Sequence, residues 1–451
     1  MKVHLRMVGC RLNQSEIDTM ARQFAALGHE VVASPEEAEH FVLNTCAVTN
    51  EATKTSRKLI RDFQRANLNG ETTVTGCYAQ IAPDDIRHLP GVERVIDNQS
   101  KSALVTQITG ESVDEYDLEP VERQFGTGAS GKTRAFVKVQ DGCDNACTFC
   151  VTTVARGAGR SRPIPEVLRE MNYLRRCGYQ EAVLTGVHLG SYGHDFGDND
   201  GLRHLVEALL DETTMPRIRL SSLEPWDLRP DFFKLWEDSR LCRHLHLPLQ
   251  SGCDATLKRM RRNTNQEGFR NLIASARAMI PGVRITTDII VGFPGETEDE
   301  FVESARFLRN MDFGGLHVFR YSNRPGTPAS RMRHQVSSRD KKARSTELLG
   351  LSQVMERQFA ERLLGSQQAV LWEQVVGATP EGFINTGYTD NYVRVRAVHP
   401  RDLSNIITDT KLDVYIDGEI HGKVEDIVSM PVLRGALISG VTSPIGPSKQ
   451  V

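Results

Sequence analysis

From Thr133 onward, short apolar runs alternate with amphipathic helical stretches. Ala135 to Gln140, Ala182 to Thr185, Arg217 to Ser221, Arg243 to Leu247, Arg284 to Val291 and Gly315 to Phe319 read as strands. Helical runs stand between them, notably Pro165 to Cys177, Leu202 to Glu212, Gln266 to Met279 and Thr297 to Met311. Strands separated by helices run parallel, because each helix carries the chain back along the sheet. The right-handed rule for such crossovers makes an open barrel the natural closure for six of them. The sequence therefore predicts an α/β chain around a partial (β/α)6 barrel, with its active site in the loops at the carboxyl ends of the strands.

The loop after the first of these strands is GCDNACTFC, Gly142 to Cys150, with thiols at Cys143, Cys147 and Cys150. Three thiolates this close can hold a 4Fe-4S cluster by three of its irons and leave the fourth open to another ligand. A zinc knuckle is the alternative, but structural zinc takes four protein ligands and no further Cys or His follows within several residues. Cys10, Cys46 and Cys77 follow LRMVG, FVLNT and TTVTG, each where an apolar run gives way to a loop and then a polar helical stretch. One such thiol would pass for an ordinary core cysteine. Three at equivalent strand ends of an open parallel sheet converge on its ligand-binding crevice. Cys177, Cys242 and Cys253 show no such pattern and read as structural.

The chain has 451 residues and a net charge of -3, which excludes a broadly basic nucleic-acid coat and leaves RNA contact to local patches. Domains are expected at 1–115 (small α/β with a parallel sheet), 133–360 (the barrel) and 361–430. Residues 116–132 read as a Gly- and Ser-bearing linker, and residues 431–451 as a tail. After a helical stretch from Ser338 to Leu364, short β-rich runs at Ala369 to Glu373, Phe383 to Thr386, Tyr392 to Ala397 and Val414 to Ile416 suggest a small oligonucleotide-binding (OB-like) β-barrel. No stretch of 18 uncharged apolar residues and no secretory leader is evident, so a soluble cytoplasmic protein without membrane contact is expected, in a compartment that keeps thiols reduced.

Three loops after barrel strands have the small and polar residues that allow close backbone approach to a cofactor: LTGVHLG with Thr185 and Gly186, LHLPLQSG with Gln250 and Ser251, and TDIIVGFPGET with Asp288. Basic residues cluster in ARGAGRSRP, with Arg156, Arg160 and Arg162, and in LKRMRRN and SRMRHQVSSRDKKAR. They are candidate phosphate contacts, although such runs also make ordinary solvated surface. In GFINTGYTDNYVRVR, Tyr388 and Tyr392 beside Arg394 and Arg396 suit base stacking and phosphate contact, or equally packing on a neighbour.

The C-x-x-x-C-x-x-C run, with Phe149 before its last cysteine, resembles the cluster loop of the radical S-adenosylmethionine superfamily. GCRLNQSE, NTCAVT and TGCYAQ, around Cys10, Cys46 and Cys77, look like the three amino-terminal signatures of its methylthiotransferase family. The likeness covers nearly the whole chain, with the carboxyl-terminal part resembling a TRAM domain. Within the family, GCRLNQ and GYTDNYVRV look most like the enzymes that act on threonylcarbamoyladenosine at position 37 of tRNA. Ser15 departs from this pattern, standing where an aromatic is expected. The resemblance implies two 4Fe-4S clusters, one on Cys143, Cys147 and Cys150 with S-adenosylmethionine on its open iron, the other on Cys10, Cys46 and Cys77. It implies cofactor contacts at Phe149, Thr185, Gly186, Gln250, Ser251 and Asp288. It also implies a tRNA anticodon stem-loop as partner and an electron donor such as flavodoxin or ferredoxin. Isopentenyladenosine in tRNA or an aspartate of a ribosomal protein are the alternative acceptors. An RNA-binding protein with structural metal sites is the reading from another class, but it does not explain why each thiol set stops at three.

Overall fold

The computed structural model describes residues 1–111 and 133–430, so the 116–132 linker, the 431–451 tail and residues 112–115 of the first expected domain lie outside the described residues. The amino-terminal part is β1 (Lys2–Met7), α1 (Arg11–Ala26), β2 (Glu30–Val31), β3 (His40–Thr45), α2 (Asn50–Ala66), β4 (Glu71–Gly76), α3 (Cys77–Ile81), α4 (Pro83–Arg87), β5 (Val92–Val95) and α5 (Leu104–Thr109). Its five strands form one parallel sheet in the order β2-β1-β3-β4-β5. β3 is buried along its whole length, as a central parallel strand covered on both faces must be. α2 begins where the Thr49 hydroxyl accepts the Ala52 amide, one of the donors a helix start leaves unpaired.

The middle of the chain runs β6 (Arg134–Lys138), β7 (Gln140–Asp141), α6 (Thr152–Arg156), β8 (Arg160–Ser161), α7 (Ile164–Arg176), β9 (Glu181–Thr185), α8 (Gly201–Glu212), β10 (Arg217–Leu220), β11 (His244–His246), α9 (Asp254–Met260), α10 (Gln266–Met279), β12 (Arg284–Val291), α11 (Glu298–Asn310), β13 (Leu316–Arg320) and α12 (Ser338–Glu361). Two parallel sheets, β6-β9-β10 and β11-β12-β13, join through single bridges at Ile218–Leu241 and Ser222–His246. The result is a six-stranded open barrel, with its largest apolar core between the strands and the outer helices. α11 opens with a reciprocal capping box between Thr297 and Glu300.

The chain ends in β14 (Gln367–Thr379), β15 (Gly382–Thr389), β16 (Arg394–His399), β17 (Ile407–Ile416) and β18 (Glu419–Ser429), closed as β14-β15-β16-β18-β17 around Trp372. The polar run EIHGKVEDIVS makes β18 hard to see in the sequence, since only one of its faces packs inward. The turn between β15 and β16 is pushed into the amino end of the partial barrel. There Asp390 takes a bidentate ion pair from Arg243, the Asp390 carbonyl accepts from Arg219, and Arg134 donates to the Tyr392 hydroxyl at 2.9 Å.

Candidate active site

Cys10, Cys46 and Cys77 each sit just past one of three neighbouring strands, β1, β3 and β4. The approach of those strand ends depends on two glycines with left-handed backbones. A Cβ on Gly9 (φ +110°) would fall 2.6 Å from Cys46 Cβ, and one on Gly76 (φ +98°) 2.3 Å from the Thr45 carbonyl oxygen. Asn13 laces the same ends together by donating to the Val8 and Thr45 carbonyls at 2.7 and 3.1 Å. Burial pushes the Cys46 thiol up to about 11, so a metal binding there must displace a proton.

Cys143, Cys147 and Cys150 line the same cavity as the first three thiols, a space of about 850 Å³. Buried Gln140 holds their loop, donating to the Gly142 carbonyl and accepting the His188 amide, both at 2.9 Å. His188 meets Asp227 at 2.5 Å; burial opposes its charge, but hydrogen bonds to Asp227 and Cys143 prevail and push its pKa up to about 10. Arg262 donates to Cys147 Sγ at 3.6 Å and pairs with Glu224 at 2.5 Å. Two cations thus flank sulfurs whose bound form is anionic. Among the described residues, the His, Cys and carboxylate ligands that gather within 4.8 Å are His246, Asp288 and His317, so neither thiol trio is that tight. Each trio offers three thiols, a donor set that suits three irons of a 4Fe-4S cluster and is one short of the four ligands of structural zinc.

Thr185, Gly186, Gln250, Asp288 and Phe149 line the cavity. Gln250 has φ +81°, a conformation costly for a residue with a Cβ and common where function over-determines the backbone. Asp288 receives His246 at 3.1 Å and His317 at 3.3 Å; burial works against its charge, but the two imidazoles hold it well below the usual carboxylate range. Ser251 is a correction: it lies off the cavity, and its hydroxyl accepts the Cys253 amide at the start of α9.

The expected RNA residues separate. Arg156 does not present itself to RNA, because it is 2% exposed and hydrogen-bonded to Asn13, Glu16 and Asp141. Tyr392 lines the cavity floor, where its ring stacks on His244 at 5.1 Å and Tyr388 at 4.8 Å, with Arg219 4.7 Å over it. Arg162 is mostly covered and pairs with Glu170 at 2.6 Å. Arg160 and Arg394 keep about half of their side-chain surface exposed. Cys177, Cys242 and Cys253 are buried away from the cavity.

Sequence reading missed several residues. Glu16 is buried among Lys101 (2.8 Å), Arg156 (3.0 Å) and Lys138 (3.3 Å), tying the amino-terminal sheet to β6 and the loop after it. Next to it, the Ser15 hydroxyl accepts the Lys138 amide, a contact that brings α1 against β6 and that an aromatic side chain could not make. Only the polar character of these positions within a helix, at GCRLNQSE, hinted at burial with partners.

An open six-stranded parallel barrel with a three-thiol loop at the carboxyl end of its first strand defines the radical S-adenosylmethionine class of fold and site. Residues 137–308 match the Radical SAM superfamily, and residues 2–97 match Uncharacterized protein family UPF0004. The chain is 36% identical over 449 residues to the threonylcarbamoyladenosine tRNA methylthiotransferase MtaB of Bacillus subtilis, covering 95% of this chain and 98% of the relative. It is 36% identical to the protein of the same name from Thermotoga maritima (87% and 90% covered) and 31% identical to a tRNA-2-methylthio-N(6)-dimethylallyladenosine synthase of Bacillus pumilus (94% and 87%). A solved radical S-adenosylmethionine methyltransferase, TsrM from Kitasatospora setae, shares the fold with TM-score 0.55 at 15% identity, over 84% of this chain and 79% of that one. The chain belongs to the radical S-adenosylmethionine methylthiotransferase family.

Proposed function

We propose that this protein adds a methylthio group to C2 of threonylcarbamoyladenosine at position 37 of tRNA. The observation that carries the reading is that two separate thiol trios face one cavity, with the names of the most similar relatives supporting the nucleoside. Cys143, Cys147 and Cys150 would hold one 4Fe-4S cluster and Cys10, Cys46 and Cys77 another. When bound, these groups and S-adenosylmethionine supply the electron, the hydrogen-abstracting radical and the sulfur, chemistry beyond side-chain acids and bases. The chain's own residues position and shield. Gln140 fixes the cluster loop, Arg262 and His188 balance thiolate charge, and Thr185, Gly186, Gln250, Asp288 and Phe149 form the cofactor wall.

Arg160 and Arg394 are the exposed cations that suit the anticodon stem-loop backbone. A flavodoxin or ferredoxin would deliver the electron in the cytoplasm; no helix among the described residues is long and apolar enough to cross a membrane. Mass spectrometry of tRNA nucleosides with and without the gene tests this. Loss of 2-methylthio-threonylcarbamoyladenosine alone is expected. Loss of the isopentenyladenosine derivative instead, or of a methylthio-aspartate in a ribosomal protein, would overturn the acceptor.

A further inference from the structure

Five arginines line the cavity that the two thiol sets share: Arg11, Arg156, Arg262, Arg284 and Arg394. Four of them are already engaged. Arg156 is held by Glu16 and Asp141, Arg262 by Glu224, and Arg394 by Glu419, while Arg284 donates to the carbonyls of Gly314 and Tyr392. Arg11 is different. No carboxylate or carbonyl among the described residues lies within ion-pair or hydrogen-bond distance of its guanidinium, which rests 5.9 Å from the centre of the Tyr392 ring. The two other cations near that ring are committed as well, Arg134 to Glu373 at 2.7 Å and Arg219 to Glu181 at 2.7 Å. Arg11 follows Cys10 directly and opens α1, so its base is fixed at the amino-terminal thiol trio while its head reaches toward the barrel floor.

Glu181 is near enough to act on the Arg11 charge but is paired directly with Arg217 and Arg219, so this largely enclosed guanidinium keeps its directional binding capacity unused. The proposed nucleoside offers one matching group on its base. The threonylcarbamoyl substituent ends in a carboxylate, whereas adenosine and isopentenyladenosine carry no charge there, and the tRNA phosphates lie along the backbone rather than on the base. The carboxylate of S-adenosylmethionine is expected at the other trio, where Arg262 stands beside Cys147.

We infer that Arg11 reads the carboxylate of the threonylcarbamoyl group and so sets the choice of nucleoside. The inference rests on the proposed nucleoside, and the test separates the two. Fluorescence anisotropy is measured on cluster-loaded protein with anticodon stem-loops carrying threonylcarbamoyladenosine, its threonine methyl ester, isopentenyladenosine or plain adenosine. Wild type should bind the carboxylate form about 10- to 100-fold more tightly than the ester, the range for a hydrogen bond to a charged group. Arg11→Gln should bring that ratio close to one, and Arg11→Lys should keep part of it, with cluster absorbance unchanged in both. A wild-type protein indifferent to the threonylcarbamoyl group would overturn the nucleoside and the inference with it. Wild type that prefers threonylcarbamoyladenosine but binds its ester equally well would overturn the inference alone, even if the variants fail to fold. So would an Arg11→Gln protein that still separates acid from ester as wild type does.

Discussion

Glu16→Gln removes the anion at the centre of the joint between the amino-terminal sheet and the barrel. Its carboxylate is 4% exposed and meets three cations at 2.8 to 3.3 Å, with Asn44 donating at 2.8 Å. Glutamine can keep the Asn44 bond but not the charge. Lys101, 5% exposed, donates to the same Oε2 as Asn44, so it would keep neutral oxygens on the glutamine and, at 3.3 Å, on Asn44, but no anion. Breaking a buried pair in this way costs about 3–5 kcal/mol, because the partner stays buried and charged. For a unit of roughly 100 residues each kcal/mol lowers the melting temperature by about 4–8 °C, so the first unfolding transition should fall by about 12 °C or more. Differential scanning calorimetry of the full chain measures it. Adding Lys101→Met should recover part of the loss, since it removes the buried cation that the first change leaves without an anion. The same carboxylate predicts a pH effect. Burial alone would raise its pKa, but Lys101, Arg156 and Lys138 hold it well below the ordinary value of 4.5. A depressed folded pKa means stability present in full above 4.5 and lost as pH falls below it, and Glu16→Gln should flatten that slope. A melting shift under 2 °C, or an unchanged acid slope, would refute the reasoning.

Anaerobic reconstitution should load iron and acid-labile sulfide for two 4Fe-4S clusters. Cys147→Ala should abolish 5'-deoxyadenosine formation, while Cys46→Ala should leave some of it and yield no methylthio product, as chromatography of both products would show. Tyr392→Ala should cost about 2 kcal/mol of stability through lost stacking and cation-π contact, read by denaturant melts. Arg394→Ala should weaken tRNA binding and flatten its salt dependence while costing under about 1 kcal/mol for its exposed ion pair. Deleting everything after Leu364 should lower barrel stability as well as tRNA binding, because Asp390 and Tyr392 fill the barrel's amino end; unchanged barrel melting would contradict that role.

β9, β10 and β11 were legible as continuous buried runs, and α7, α8, α10 and α11 as amphipathic helices. The thiol trios were legible because their chemistry lies in residue type and position along the chain. Edge strands β2 and β5 escaped, being short and polar on their open side. The surroundings of Tyr392 and Arg156 were not legible, for one reason. A tyrosine or arginine in a polar loop looks exposed until another domain is docked on it, and docking between segments this far apart in the chain leaves no local period. Arg134 and Tyr392 are 258 positions apart, and Arg156 and Glu16 are 140. Ser251 failed on a smaller scale, since one step along the backbone past the left-handed Gln250 turns the next side chain away from the cavity.

The two thiol trios differ in when they can exist. Cys143, Cys147 and Cys150 are close by chain connectivity alone, so even a nascent or partly melted chain presents them together. Cys10, Cys46 and Cys77 become neighbours only after β1, β3 and β4 have zipped into one sheet. Whatever binds the second trio is therefore a reporter of that sheet: its release on heating or in denaturant should coincide with sheet opening, and its affinity should add directly to the sheet's stability. Occupancy at the first trio carries no such obligation, so a ribosome-bound chain could acquire metal there before its final domain has been made.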